Sequence, residues 1–188
     1  MPDHHRLVAL LAERSARRGN FTLASGRKST LYIDARLTTM SPEGLALIGP
    51  LALTRLNEVG WQIDSVGGLT LGADPISYAI AYASANSDHL IRAFTVRKEA
   101  KAHGTGRLIE GPFREGDRVA IIEDVITTGG SALRAVEAVR NAGATVAGVL
   151  ALVDREEGGK EALISAGLQV LSMTRASEIL AALSPTQI

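Results

Sequence analysis

Val119-Ala120-Ile121-Ile122-Glu123-Asp124-Val125-Ile126-Thr127-Thr128-Gly129-Gly130-Ser131 runs from an apolar segment through two acids into hydroxyls and glycines. The four leading residues, β-branched or small, read as a buried strand with Glu123 and Asp124 at its carboxyl end. Ala132 to Arg140 follows with helical periodicity, and Asn141 and Gly143 mark its end. Strand, hydroxyl-and-glycine loop and helix make an anion cradle. The glycines let backbone approach closely, the first N–H groups of the helix point at the anion, and the helix dipole favours negative charge.

Two carboxylates ahead of such a cradle would repel a ligand that was only a phosphate. They suit one that also carries vicinal hydroxyls, which donate to ionised Glu123 and Asp124. A ribose 5-phosphate meets both demands; the alternative is a strand end with solvated acids and an ordinary loop. The segment is not a Walker loop, because it lacks Gly-Lys-Ser/Thr. No dinucleotide-type Gly-x-Gly-x-x-Gly follows a strand.

The rest of the chain sets bounds. Its 188 residues suit one well-cored domain, and 46% apolar residues supply that core. Net charge is zero, from 20 basic and 20 acidic side chains, which disfavours a nucleic-acid-coating role. Without cysteine, disulfides, thiolate nucleophiles and Cys-based zinc sites are excluded. The polar N-terminus does not read as a secretory signal, and no run approaches the ~20 apolar residues of a membrane span. A soluble cytoplasmic protein is expected.

In chain order, Leu7, Val8, Leu10 and Leu11 form a helical stripe, with Gly19-Asn20 as the stop. Phe21 to Arg36 reads as two short strands around Ser25-Gly26, a hairpin. Ser41-Pro42 starts a helix with Leu45, Ile48, Ala52 and Leu56 as its apolar face; Pro50 should kink or interrupt it. Asp64 to Gly68 is a short parallel strand, and its loop Leu69-Thr70-Leu71-Gly72-Ala73 leads into a helix with Asp74 as cap. That Gly-containing loop is a second phosphate seat. Ile91 to Val96 is a strand, followed by Arg97-Lys98-Glu99-Ala100-Lys101-Ala102-His103-Gly104, either a solvated surface loop or a mobile anion-binding one. Thr145 to Val153 is a parallel-type strand that delivers Arg155 near the cradle, since ligands of open α/β sheets gather at strand carboxyl ends. Arg155 either pairs with Glu156 or Glu157, or grips a ligand carboxylate bidentately. A helix (161–166), a strand (168–173) and a last helix (176–183) complete the alternation.

These motifs resemble those of the type I phosphoribosyltransferases, and of the orotate phosphoribosyltransferases in particular. The 119–131 segment is similar to the family's phosphoribosyl pyrophosphate (PRPP) signature. The hairpin is similar to its Phe-x-Leu-x-Ser-Gly hood over the base, and residues 97–104 to its flexible catalytic loop. The resemblance covers nearly the whole chain. It implies an α/β fold with a mostly parallel central sheet flanked by helices, a small N-terminal hood hairpin and a flexible catalytic loop. One domain would span 1–188, with helix and hood in 1–40 and core in 41–188. It further implies transfer of ribose 5-phosphate from PRPP to orotate, giving orotidine 5′-monophosphate and pyrophosphate.

By the same resemblance, Lys101, His103 and Asp124 are catalytic. PRPP is bound by Arg97, Lys98, Lys101, His103 and the run Glu123, Asp124, Val125, Ile126, Thr127, Thr128, Gly129, Gly130 and Ser131. Thr70, Leu71 and Gly72 form the pyrophosphate loop, and Thr127 and Arg155 hold orotate. Mg²⁺ is carried by PRPP with no direct protein ligand, and a homodimer shares the catalytic loop across its interface. Two positions depart from the family pattern: Ala24 and Leu71 stand where many members carry Lys, and Lys28 is the candidate to replace the first. A type I enzyme for another base, or a non-catalytic PRPP-sensing regulator, are the alternatives. The retained loop cations argue against the regulator.

Overall fold

The computed structural model describes residues 2–22, 28–99 and 108–183. In chain order it contains α1 (Pro2–Ser15), β1 (Ala16–Thr22), β2 (Lys28–Ile33), α2 (Arg36–Thr39), α3 (Pro42–Glu58), β3 (Ser65–Leu69), α4 (Ala73–Ser84) and β4 (Arg92–Val96). There follow β5 (Ile109–Glu110), β6 (Arg118–Ile126), α5 (Gly130–Asn141), β7 (Thr145–Asp154), α6 (Gly159–Ser165), β8 (Val170–Arg175) and α7 (Ala176–Ala182). Six strands form one sheet in the order β5-β4-β3-β6-β7-β8, parallel except for β5, while β1 and β2 pair as a separate antiparallel hairpin.

β6 is apolar on both faces because both are covered. Ala120 and Ile122 pack with Leu7, Leu11, Ile48, Ile76 and Ile80 on one side. Val119 and Ile121 pack with Ala135, Val136, Val139 and Leu163 on the other. Alternate residues of β7 divide in the same way, with Leu150 and Leu152 on the first face and Val149 and Ala151 on the second.

β3 and β6 are neighbours, yet their crossovers diverge: α4 leads outward to β4, and α5 leads the opposite way to β7. Adjacent parallel strands whose connections part in this manner leave a crevice at their carboxyl ends.

Several expectations need correction. The N-terminal helix stops at Ser15, and Arg17 to Asn20 belong to β1, where pairing with β2 overrides a polar, turn-like composition. Ser25-Gly26 and Ala24 lie outside the described residues. Ser41 caps α3 as expected, accepting from the Gly44 N–H at 3.0 Å. Pro50 does not interrupt α3; it lies on the exposed face, where the carbonyl it leaves unbonded can meet water. Leu45 is on that exposed side as well, and Gly44, Ile48, Gly49, Ala52 and Leu56 form the buried one. Asp74 is not the cap of α4 but sits in its first turn, accepting hydrogen bonds from Thr70 Oγ1 (2.7 Å) and Thr95 Oγ1 (2.8 Å). The short α2 and β5 were not foreseen.

At the opposite, amino-terminal end of the sheet, Asp117 is 5% exposed. It accepts from Ser65 Oγ (3.1 Å), Arg92 Nη2 (2.7 Å) and Arg114 N–H (3.1 Å), joining the starts of β3, β4 and β6. Removing one partner of such a buried pair strands the other charge. Asp117→Ala is therefore expected to lower the unfolding free energy by about 3 kcal/mol, measured by urea denaturation. A loss below about 0.5 kcal/mol, the size of an ordinary surface change, would contradict this role.

Candidate active site

The crevice at the β3/β6 carboxyl ends is a cavity of about 360 Å³. Its wall joins the loop Leu69–Gly72, the acids Glu123 and Asp124, Thr127 and Ser131, the hairpin residues Tyr32 and Ile33, Lys98 and Arg155. Beside it a hollow of about 80 Å³ is lined by Thr127, Thr128, Gly129, Gly130 and Ser131.

The small hollow is the anion cradle. Gly129 stands at the N-cap of α5 with φ +82°, a left-handed conformation natural to glycine, and no side chain caps the helix. The first-turn N–H groups therefore face the hollow without a side-chain partner. α4 also begins without a side-chain cap, at Gly72, beside the larger cavity. Two positive helix ends thus converge on one space.

The β3 loop is tied to its surroundings. Thr70 and Thr95 both donate to Asp74, and Tyr78 Oη lies 2.9 Å from Thr95 Oγ1. The Thr70–Leu71 peptide is cis. Gly72 packs directly under Asp124: a Cβ there would stand 2.5 Å from the Asp124 carboxyl. Any larger residue would separate the two seats.

Glu123 departs from the expectation that it is ionised. Both acids lie within β6 rather than beyond it, since the strand runs on to Ile126. Burial, reinforced by the negative Asp124 alongside and a hydrogen bond with it, pushes the Glu123 carboxyl up to about 8. Glu123 therefore carries its proton at neutral pH. Asp124 Oδ1 accepts the Val125 N–H at 2.9 Å, which orients it.

Arg155 is 7% exposed and reaches the cavity wall as expected. It also makes the ion pair that stood as the alternative: Nε and Nη2 donate to Glu157 Oε1 at 3.1 and 2.7 Å. Nη2 donates further to Ser29 Oγ (3.0 Å) and the Leu31 carbonyl (3.1 Å). The Nε–Nη2 edge of the guanidinium is thus already engaged by Glu157.

Among the other expected residues, Thr70, Leu71, Gly72, Lys98, Glu123, Asp124, Val125, Thr127 and Ser131 are brought together in the larger wall. Thr128, Gly129 and Gly130 line the smaller hollow. Ile126 offers only backbone there, its side chain being core. Arg97 stands apart, paired with Glu110 at 3.7 Å across the β4–β5 ladder. Lys28 is not in the wall but beside a separate hollow with Asn20, Phe21 and Thr30. Lys101 and His103 lie outside the described residues. Wall residues not predicted as site residues are Tyr32, Ile33, Asp34, Ala35, Arg36 and Leu69; of these, the Asp34 and Arg36 side chains pair at 2.8 and 3.0 Å.

A larger cavity, about 560 Å³, opens at the β8 edge between α1 and α3. It lies along the outer edge strand β8, away from the β3/β6 crevice, and its charges are largely paired, Arg55 with Glu58 and Arg175 with Glu178. The smaller crevice, where helix ends, acids and cations converge, is the better active-site candidate.

The phosphoribosyl transferase domain model matches residues 40–167. The orotate phosphoribosyltransferase of Aquifex aeolicus is 46% identical over 183 residues, covering 96% of this chain and 99% of that protein. That of Rhodopseudomonas palustris (strain BisB5) is 48% identical over 179 residues, covering 93% and 95%. The crystal structure of Mycobacterium tuberculosis orotate phosphoribosyltransferase in complex with PRPP is similar at a TM-score of 0.78 and 41% identity, covering 95% and 99%.

The raised Glu123 value has a thermodynamic consequence. Folded Glu123 keeps its proton to about pH 8, whereas the unfolded chain loses it near 4.5. Its contribution to stability is therefore complete below 4.5 and is lost as pH rises through about 8. The slope is at most about 1.4 kcal/mol per pH unit. Glu123→Gln should flatten that decline in urea unfolding across the same window, and equal slopes in both proteins would contradict the assignment.

Proposed function

This chain belongs to the phosphoribosyltransferase family, in its orotate phosphoribosyltransferase branch, and from that membership we infer that it transfers ribose 5-phosphate from PRPP to orotate, yielding orotidine 5′-monophosphate and pyrophosphate. The reaction is a step of pyrimidine biosynthesis, and the chain acts as one domain over 1–188. The observation that carries the site assignment is the meeting of two uncapped helix starts, an acid pair and a buried arginine in one crevice.

The 5-phosphate takes the amides and hydroxyls of Thr127 to Ser131, a seat that its own negative charge selects. The ribose diol lies on Glu123 and Asp124. With Glu123 protonated, the pair offers a donor as well as acceptors, and the charge facing the phosphate is reduced. Pyrophosphate occupies the Thr70–Gly72 loop at the start of α4, with Lys98 in the same wall. Leu71 supplies no charge, so backbone amides carry that contact. Orotate fits between the hairpin, Thr127 and Arg155.

Displacement at the anomeric carbon passes through an oxocarbenium-like state, and no residue need attack covalently. The protein's part is to neutralise the departing pyrophosphate and to aim the orotate nitrogen. We assign Lys101 and His103 to the pyrophosphate, with Lys98 and, on rearrangement from Glu110, Arg97. Asp124 stabilises the positive sugar. Mg²⁺ is taken to be carried by PRPP, held mainly by substrate oxygens and waters. When bound, Mg²⁺ adds electrostatic stabilisation of the leaving group.

A homodimer sharing the 97–104 loop across its interface is part of the same proposal; exposed Tyr78 and Tyr82 on α4 give it an apolar face. Among the described residues no helix is long and apolar enough to cross a membrane. We take it to be a cytoplasmic enzyme with small-molecule substrates; the zero net charge disfavours a nucleic-acid partner.

Purified protein given PRPP and Mg²⁺ should consume orotate and leave adenine, hypoxanthine and uracil untouched. Lys101→Ala should lower kcat by about a hundredfold or more, with a smaller effect on PRPP affinity. Turnover of a purine instead of orotate would overturn the base assignment, and an unchanged kcat would remove Lys101 from the chemistry.

A further inference from the structure

Among the described residues, the acceptors of Arg155 engage Nε and Nη2. Glu157 takes Nε and one Nη2 hydrogen, and Ser29 Oγ with the Leu31 carbonyl takes the other side of Nη2. Among the described residues the cavity wall includes Arg155 but not Glu157, Ser29 or Leu31. With Nε and Nη2 engaged by residues outside the cavity wall, Nη1 is the nitrogen we assign to the cavity side.

The chain makes a special turn to place Glu157 there. Glu156 adopts φ +57°, a left-handed conformation unusual for a residue other than glycine. Its N–H donates to Asp154 Oδ1 at 2.8 Å, and its own Oε2 accepts the Ser177 N–H at 2.8 Å, at the start of α7. Those two bonds hold the reversal that swings Glu157 back over Arg155, two residues earlier. The site arginine, the end of β7, the start of α7 and the hairpin strand β2 are thereby joined in one network.

We propose that Glu157 is a positioning residue for orotate recognition: its carboxylate anchors the Nε–Nη2 edge of Arg155 so that Nη1 alone meets a single oxygen of the base. The inference rests on the reading of Arg155 as the base-facing cation. A guanidinium so held has lost its rotamer freedom before substrate arrives, and less entropy is spent on binding. It also discriminates by position, because one fixed nitrogen, not a swinging fork, must find its acceptor. Without Glu157 the head group keeps only the Ser29 and Leu31 bonds at Nη2 and can pivot about them, so its aim at the base is lost.

Steady-state kinetics on the full chain test this. Glu157→Ala should raise KM for orotate about tenfold, the effect of losing a charge-assisted hydrogen bond, while KM for PRPP stays within about twofold. Glu157→Gln keeps an acceptor oxygen but not the charge, so its orotate KM should rise only about threefold. Arg155→Ala combined with Glu157→Ala should be no worse than Arg155→Ala alone, because both act through one group. Equal rises in both KM values, additive losses in the double variant, or a wild-type orotate KM in Glu157→Gln would each overturn the proposal. The Gln variant keeps the test decisive if the Ala variant does not fold. Should Arg155→Ala itself leave the orotate KM unchanged, the base-binding role of Arg155 falls, and the role of Glu157 with it.

Discussion

Two helices start beside one another without side-chain caps, and the positive ends at those starts govern the rest of the site. They exist together because β3 and β6 are adjacent and parallel while α4 and α5 depart in opposite directions. A side-chain cap would occupy the α5 start; here that end is left open to a ligand. Such a crevice favours anions, which makes the neighbouring carboxylates the feature that needs explaining. Burial supplies the explanation. With its carboxyl pushed up to about 8, Glu123 is neutral under ordinary conditions, and the acid pair presents less charge to the phosphate seat than its sequence suggests.

Close contacts then fix how far apart the two seats lie. Gly72 in the β3 loop rests against the Asp124 carboxyl, so the pyrophosphate loop and the sugar-binding strand touch without an intervening side chain. Gly159 packs against the Thr127 backbone in the same way, setting the loop after β6 against the start of α6. Asp74, holding Thr70 and Thr95, locks the β3 loop to β4. The base side is built differently. There, hydrogen bonds to a buried arginine fasten a two-stranded hairpin over the sheet.

Much of this was legible in the chain. An uninterrupted apolar run such as Val119 to Ile122 belongs to a strand covered on both faces, and Ser41-Pro42 marks a helix start through local chemistry alone. The PRPP-like segment is legible for the same reason: strand, loop and helix start are contiguous. What stayed hidden depends on partners far away in sequence. Arg17 and Arg18 look like the polar end of a helix until β2 pairs with them. Arg97 looks free until the antiparallel turn through β5 brings up Glu110. In the sequence Arg155 reads as either a ligand contact or a partner of a nearby acid; in the fold it lines the cavity and pairs with Glu157 at once. The proton on Glu123 could not be read either, since it comes from burial within the folded sheet.

A crystal structure of the protein with ribose 5-phosphate would probe this arrangement at its root. Phosphate oxygens within hydrogen-bonding distance of the amides of residues 128–131, and both ring hydroxyls on Glu123 and Asp124, are the expected result. A phosphate seated at Lys98 and Arg97, with the sugar turned away from the acid pair, would contradict it.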